Sequence, residues 1–190
     1  MRKSRLETAE TRTRIVQAAS VEFRRNGIAG TGLADVMAAA GMTHGGFYKH
    51  FSSKEQIIEE SVSLGATTLV DTVAKRVDEA SSDDALKNII NNYLSKEHVE
   101  DVGNGCILVA LASELARSSD AVRDETTEGF LRVVGLISEQ LKDMSRAAAK
   151  KEAIVMLSAM IGAVTMARVV NDPALSATIL NETKKQLLNR

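Results

Sequence analysis

Residues 43 to 51 read THGGFYKHF. Thr43, His44, Tyr48, Lys49 and His50 place hydroxyl, imidazole and ammonium groups in one short segment, and such groups serve to hydrogen-bond phosphate oxygens. Gly45 and Gly46 stand among them. An interior helical glycine costs about 1 kcal/mol relative to alanine, so the pair needs a return, and a missing side chain lets the backbone come close to another surface. At about 100° per residue, Phe47 and Phe51 share one side of a helix and Gly45, Gly46 and Lys49 the other. The expected chemistry is recognition of a polyanion, with the glycines against a DNA major groove and Lys49 directed at its floor. Tight packing of Gly45 or Gly46 at a helical turn is the other reading, and the two are compatible.

No catalytic or metal constellation accompanies this segment. The spacing supplies no Ser/His/Asp, Cys/His or paired-carboxylate arrangement, so no enzyme, cofactor or metal is expected. Cys106, in GNGCILVALASELAR, has no adjacent basic residue to stabilise a thiolate, and reads as a small buried hydrophobe rather than a redox switch. His98, in the acidic loop EHVED, reads as a solvated residue. Glu114 and Arg117 read as partners on a helix surface.

The elements that must position residues 43 to 51 follow from periodicity. Ile15, Ala18, Ala19 and Phe23 make an amphipathic helix from Arg12 to Arg25, closed by Asn26-Gly27. Thr31 is expected to cap a short second helix with Leu33, Val36 and Met37 as its apolar stripe, before Ala40-Gly41. Thr43 is expected to cap a third helix, and Ser53-Lys-Glu-Gln56 is a capping box for a fourth. Two short helices joined by a tight turn and resting on a longer one form a helix-turn-helix.

Composition agrees. One proline and twelve glycines in 190 residues, with 44% hydrophobic and 26% charged content, favour a helical globular protein. Residues 1 to 54 carry nine Lys or Arg against four acids, a balance of +5, while the remainder stands at −6. The basic end could face a nucleic acid, and Arg2, Lys3 and Arg5 could form a minor-groove arm. The polar start is not a secretory signal, and a single cysteine agrees with a reducing compartment, so a cytoplasmic protein is expected.

The stretch TRTRIVQAASVEFRRNGIAGTGLADVMAAAGMTHGGFYKHFSSKEQII resembles, nearly end to end, the DNA-binding domain of the TetR family of bacterial transcriptional regulators. Its most specific parts are Ala18, Ala19 and Phe23, the Asn26-Gly27 that leads to Thr31, the Ala-Ala-Gly turn, and the string from Gly45 through Tyr48, His50 and Phe51 to Lys54. The resemblance implies an all-α homodimer on an inverted-repeat operator. Residues 1–53 would form a three-helix reading head, and residues 54–190 a larger helical domain for ligand binding and dimerisation. By position, Thr31, Thr43, His44, Gly45, Gly46, Tyr48, Lys49, His50 and Lys54 match the family's DNA-contacting set. Gly32 stands where the family usually has Ser or Thr, and Gly46 where it often has Ala, Ser or Thr.

Beyond residue 53 the pattern predicts helices over 54–79, from 81–84 through Tyr93 to 96, over 103–117 and 120–144, then two final ones. Residues 154 to 170 are apolar nearly all round, which predicts a helix buried on more than one side. At 17 residues the run is short of the ~20 that a bilayer needs, so no membrane span is expected. Asp172-Pro173 opens the last helix. The final pair matches the family's dimerising helices by position, with Ile161, Thr165, Arg168, Leu175, Ile179 and Leu180 as candidate seam residues. Only Tyr93 and Phe130 are aromatic beyond residue 51, so the expected effector is small and mostly apolar. Its pocket would draw on Tyr93, Cys106, Leu111, Phe130, Met156 and Met160, with Thr67, Thr68 or Ser158 as polar anchors. A DNA-binding architectural or interaction protein without an effector is the alternative.

Overall fold

The computed structural model of the protein describes residues 5–81 and 84–189, and every regular element in them is helical. The head contains α1 (Arg5–Asn26), α2 (Leu33–Ala39) and a 3-10 helix (His44–Lys49). The body follows with α3 (Lys54–Asp78), α4 (Ala85–Tyr93), α5 (Lys96–Glu100), α6 (Ile107–Leu115), α7 (Asp120–Ser138), α8 (Arg146–Val169) and α9 (Pro173–Leu188). Arg2 and Lys3 of the expected basic arm lie outside the described residues, as do Ser82 and Asp83 of the expected start of α4.

Several ends differ from expectation for local reasons. α1 opens earlier, because Leu, Glu, Ala and Arg before Arg12 are good helix formers and Thr11 returns its hydroxyl to the Glu7 carbonyl at 2.7 Å. The N-cap of α2 is Gly32 rather than Thr31. Thr31 is buried and donates to the Gly27 carbonyl at 2.6 Å, while Asp35 Oδ2 accepts from Gly32 N at 2.9 Å. Ser53 does cap α3 by accepting from Gln56 N, but the Gln56 side-chain Oε1 reaches back one residue further, accepting from Ser52 N and Oγ. Leu94 leaves the helical region, so the segment expected to run to 96 is split, and Ser95 caps α5 by accepting from His98 N. Residues 103–106 form a turn before α6 rather than its start. Asp172 caps α9 through Ala174 N and Leu175 N, with Pro173 in the first turn as expected.

Two apolar cores hold these helices. One lies in the body, with Leu69, Ile90, Tyr93, Val133, Ile137, Met156, Met160 and Leu180 among its buried members. Here α3 and α7 meet so closely that a Cβ on Gly129 would fall 2.6 Å from Ala66 Cβ. The second joins head to body. Phe23, Met37, Phe47 and Phe51 of the head share it with Ile107, Leu111 and Leu115 of α6 and Val122 of α7. α8 is long and apolar enough to cross a membrane by length and composition. Its inward stripe of Ala149, Ala153, Met156, Met160, Val164 and Ala167 is nonetheless buried against the body, as in the core helix of a globular domain.

Candidate nucleic-acid interface and ligand cavity

The turn between α2 and the 3-10 helix is set by Gly41, whose φ of 71° is left-handed and open to glycine without a Cβ penalty. Phe47 and Phe51 stack at 5.3 Å and are both buried, as their spacing predicts. They anchor the segment. Tyr48 stands edge-on to Phe47 at 5.2 Å and is 67% exposed. Thr43, His44, Gly45 and Lys49 are exposed with it, and His50 is half-buried.

The 3-10 winding turns the glycines differently from an α-helix. Residues in a 3-10 helix advance by about 120°, which rotates Gly46 inward. A Cβ there would touch Met37 Cε at 3.4 Å and Met42 Cε at 3.8 Å, whereas one on Gly45 would meet nothing within 4 Å. Gly45 is therefore the open position, and Gly46 the one pressed against the head's own core.

Two cations of the head and Lys54, at the start of α3, are turned inward. Lys54 Nζ donates to the carbonyls of Ile28 at 3.0 Å and Thr31 at 2.7 Å, holding the α1–α2 loop. Arg12 lies over the Phe51 ring at 4.3 Å and donates to the His50 carbonyl and the Glu60 carboxylate. Arg24 is buried, on the Gly103 carbonyl at 2.6 Å and Ser20 Oγ at 3.1 Å. Of the positions matched to DNA contacts, Thr31 and Lys54 thus serve the head's own architecture: one hydroxyl is buried and one ammonium is engaged on two carbonyls. Neither arrangement is visible in local spacing.

The body holds a cavity of about 210 Å³ walled by α3, α4, α5 and the turn before α6. Thr68, Tyr93 and Cys106 line it. Met156 and Met160 lie in the adjoining core with Phe130 packed against it, Leu111 belongs to the core shared with the head, Ser158 is exposed on α8, and Thr67 is half-buried on α3. The lining is also more polar than expected, because Thr72, Arg76, Asn92, Ser95, His98 and Asn104 contribute to it.

His98 is not the solvated residue that its acidic neighbours suggest. Its Nδ1 is 2.7 Å from the Tyr93 carbonyl, which can only accept, and its Nε2 is 3.0 Å from Cys106 N, which can only donate. The imidazole is therefore neutral, with its proton on Nδ1. Burial, reinforced by the Arg168 charge, holds its pKa below the ordinary value. Burial pushes the Cys106 thiol up, so it carries no thiolate at neutral pH and reads as a packed side chain. Tyr93 is pushed well above the ordinary phenol, chiefly by burial and then by Cys106 beside it.

The candidate seam divides. Arg168 folds inward, its Nε on the Val99 carbonyl at 3.0 Å and its Nη2 on the His98 carbonyl at 2.7 Å. Leu180 is buried in the body core. Ile161 and Ile179 are half-buried against that core, Thr165 is half-buried, and Leu175 is exposed. The large apolar residues that α8 leaves outside are Ile154, Val155, Met166 and Val169, the last three in line with an open Gly162. A separation of the two stripes at helical spacing would have found them.

Residues 15–61 match the family model for bacterial regulatory proteins of the tetR family, and residues 83–179 match that of the LmrA/YxaF-like transcriptional regulator C-terminal domain. The chain belongs to the TetR family. It is a helix-turn-helix transcriptional regulator of that family and not an enzyme, with a C-terminal domain of the LmrA/YxaF-like kind. The HTH-type transcriptional regulator LmrA of Bacillus subtilis is 28% identical over 160 residues, covering 80% of this chain and 82% of that protein. The HTH-type transcriptional regulator TtgR of Pseudomonas putida is 39% identical, but over 59 residues only, 31% of this chain and 28% of TtgR. A TetR regulator from Chloroflexus aurantiacus has the same fold, with a TM-score of 0.80 at 24% identity over 95% of this chain and 93% of that one. α8 falls within the matched C-terminal domain of this TetR-family chain, which agrees with its place in the body core.

Proposed function

We propose that this TetR-family regulator is a dimeric repressor that leaves an inverted-repeat operator when a small effector fills the body cavity. Residues 1–53 act as the reading head and residues 54–190 as the regulatory and dimerising part. Thr43, His44, Tyr48 and Lys49 are the side chains offered to DNA, with His50 at the edge and Gly45 as the point of close backbone approach. Phosphate contacts supply affinity, and the groove face supplies register. The exposed stripe of Val155, Met166 and Val169, continued by Leu175, supports pairing of α8 and α9 with a second copy, and such symmetry fits a repeated half-site.

The single observation that carries effector control is the position of α6. Cys106, at its N-terminal end, lines the cavity, while Leu111, Leu115 and Glu114 at the other end lean on the head. A ligand that prefers one position of α6 therefore biases the head, to the extent of its differential affinity for the two states. The cavity also favours this reading over a purely architectural DNA-binding role. The test begins with selection of duplexes from a random pool and a footprint on the winner. Protection of two half-sites one or more helical turns apart, weakened by salt, supports the reading, and binding to single-site or random DNA alone would refute it.

A further inference from the structure

Four side-chain nitrogen or oxygen atoms among the described residues are buried without a hydrogen-bond partner, and two of them, Arg76 Nε and Tyr93 Oη, belong to residues lining the 210 Å³ cavity. Tyr93 is 5% exposed, and its hydroxyl has only the weakly accepting Cys106 sulfur beside it. A third, Nη1 of Arg168, lies behind the same wall, since a Cβ on Gly105 would come within 2.9 Å of Arg168 Nη2. Buried polar groups are ordinarily paired, and each exception calls for an explanation. All three here can donate; two are guanidinium nitrogens that can only donate.

The charge around the cavity has the same sense. Arg168 and Arg24 hold the 98–103 segment through backbone carbonyls, and no carboxylate forms an ion pair with either among the described residues. Burial lowers the pKa of both, which marks cations that lack full compensation. Asp101 takes hydrogen bonds from Asn104, and Arg76 Nη1 already pairs with Glu79 at 2.7 Å. Glu97 and Asp101 are exposed, whereas Arg76 Nε and Tyr93 Oη are buried atoms. Thr68, Leu69, Val73 and Ile89 furnish a largely apolar wall between them.

We infer that the effector is a compact carboxylate: a single ring or short chain whose acid group is received by Tyr93 Oη and Arg76 Nε and whose hydrocarbon part lies against α3 and α4. The size fits, since a cavity of about 150 Å³ admits a benzene ring, and 210 Å³ adds room for one substituent. This rests on the reading of the cavity as the effector site, and it gives the small, mostly apolar ligand that the sparse aromatics suggest a charged end. A neutral amide offers one acceptor without charge, and a hydrocarbon offers none.

The test is calorimetry on the full-length protein with benzoate, benzamide and toluene, repeated on Tyr93→Phe, Arg76→Gln and Thr72→Trp. Benzoate is expected to bind most tightly, and Tyr93→Phe or Arg76→Gln to weaken it by about tenfold each while leaving toluene unchanged, because only an acceptor loses a partner. Thr72→Trp, which fills the cavity from an exposed position on α3, is expected to abolish all binding. Toluene equal to benzoate, no detectable benzoate binding, or an unchanged benzoate affinity in Tyr93→Phe would each overturn the carboxylate assignment. A gel shift of the selected duplex with saturating benzoate separates this inference from the functional reading. Tyr93-dependent benzoate binding that leaves operator affinity untouched upholds the carboxylate site and refutes its role as the switch. Toluene that binds and releases DNA does the reverse.

Discussion

Glu114 Oε1 on α6 accepts a hydrogen bond from the backbone N–H of Ala29 at 2.9 Å, across 85 residues of sequence. The bond closes the loop after α1, where Gly27 turns with a φ of 79° and Glu114 Oε2 lies 3.0 Å from where a Cβ on Gly27 would be. A helix of the C-terminal domain thus holds the loop that leads into the helix-turn-helix. Glu114→Ala is expected to lower stability by about 1–2 kcal/mol through loss of a charged acceptor and to speed hydrogen exchange at Ala29. Unchanged exchange at Ala29 in this variant would contradict the link.

Arg12 organises the end of the reading segment. It touches Phe51, the His50 carbonyl and Glu60 at once, using the flat fork of the guanidinium. Arg12→Lys cannot reproduce that geometry, so Arg12→Lys and Arg12→Ala are both expected to weaken operator binding by on the order of tenfold, with little loss of helical circular dichroism. Full affinity in Arg12→Lys would show that charge alone suffices.

The two glycines give a paired test. Gly45→Leu meets open space and is expected to keep the wild-type melting temperature while losing specific DNA binding. Gly46→Leu must push Met37 and Met42 aside, and overpacking of this kind typically costs about 1–3 kcal/mol. Its loss of binding would come with a lower melting temperature. A Gly45→Leu protein with native affinity for the selected duplex would remove the argument for close approach.

How much of this was legible depends on the range of the interaction. Phe47 and Phe51, Ser53 before Gln56, and Asp172 before Pro173 are four residues apart or fewer, and their roles follow from helical spacing and capping alone. Lys54 on the Ile28 and Thr31 carbonyls, Glu114 on Ala29, and Arg168 on His98 and Val99 join residues 23 to 85 positions apart. No periodicity encodes such pairs, so from the sequence a lysine near a recognition helix reads only as a phosphate ligand and an arginine on an apolar helix only as part of a seam. Gly46 departs from its expected face for a different reason: the spacing predicts an α-helix, and the segment is wound as a 3-10 helix that leaves Gly45 outward and turns Gly46 inward.

Acid should loosen the body. His98 is neutral in the fold and its pKa is lowered from the ordinary 6.5, so the unfolded chain takes up a proton more readily than the folded one. Its contribution is complete above the ordinary value and is lost as pH falls below it. The neighbours are Arg168, which opposes protonation, and Asp101, which favours it. Urea melts of the wild type should lose stability below that point, and His98→Gln should flatten this part of the profile; an identical slope in both proteins would exclude His98.

The outer stripe of α8 predicts assembly. Met166 is 49% and Val169 68% exposed, so a charge there costs little in the subunit and much in a dry interface. Met166→Glu is expected to give folded monomers by light scattering and to weaken operator binding on the order of a hundredfold, as paired half-sites lose their avidity. A wild-type protein that is monomeric at micromolar concentration would contradict this.

The shared core has a consequence for anyone who would recombine such regulators. Phe23, Met37, Phe47 and Phe51 rest on Ile107, Leu111 and Leu115, so a cut after residue 53 strips the fragment of part of its hydrophobic floor. A chimera that transplants only the first three helices onto a foreign sensor inherits whatever surface that sensor's counterpart of α6 presents. Grafts would have to carry Ile107, Leu111, Glu114 and Leu115 along with the head, and sequence specificity would then be transferable without a loss of solubility.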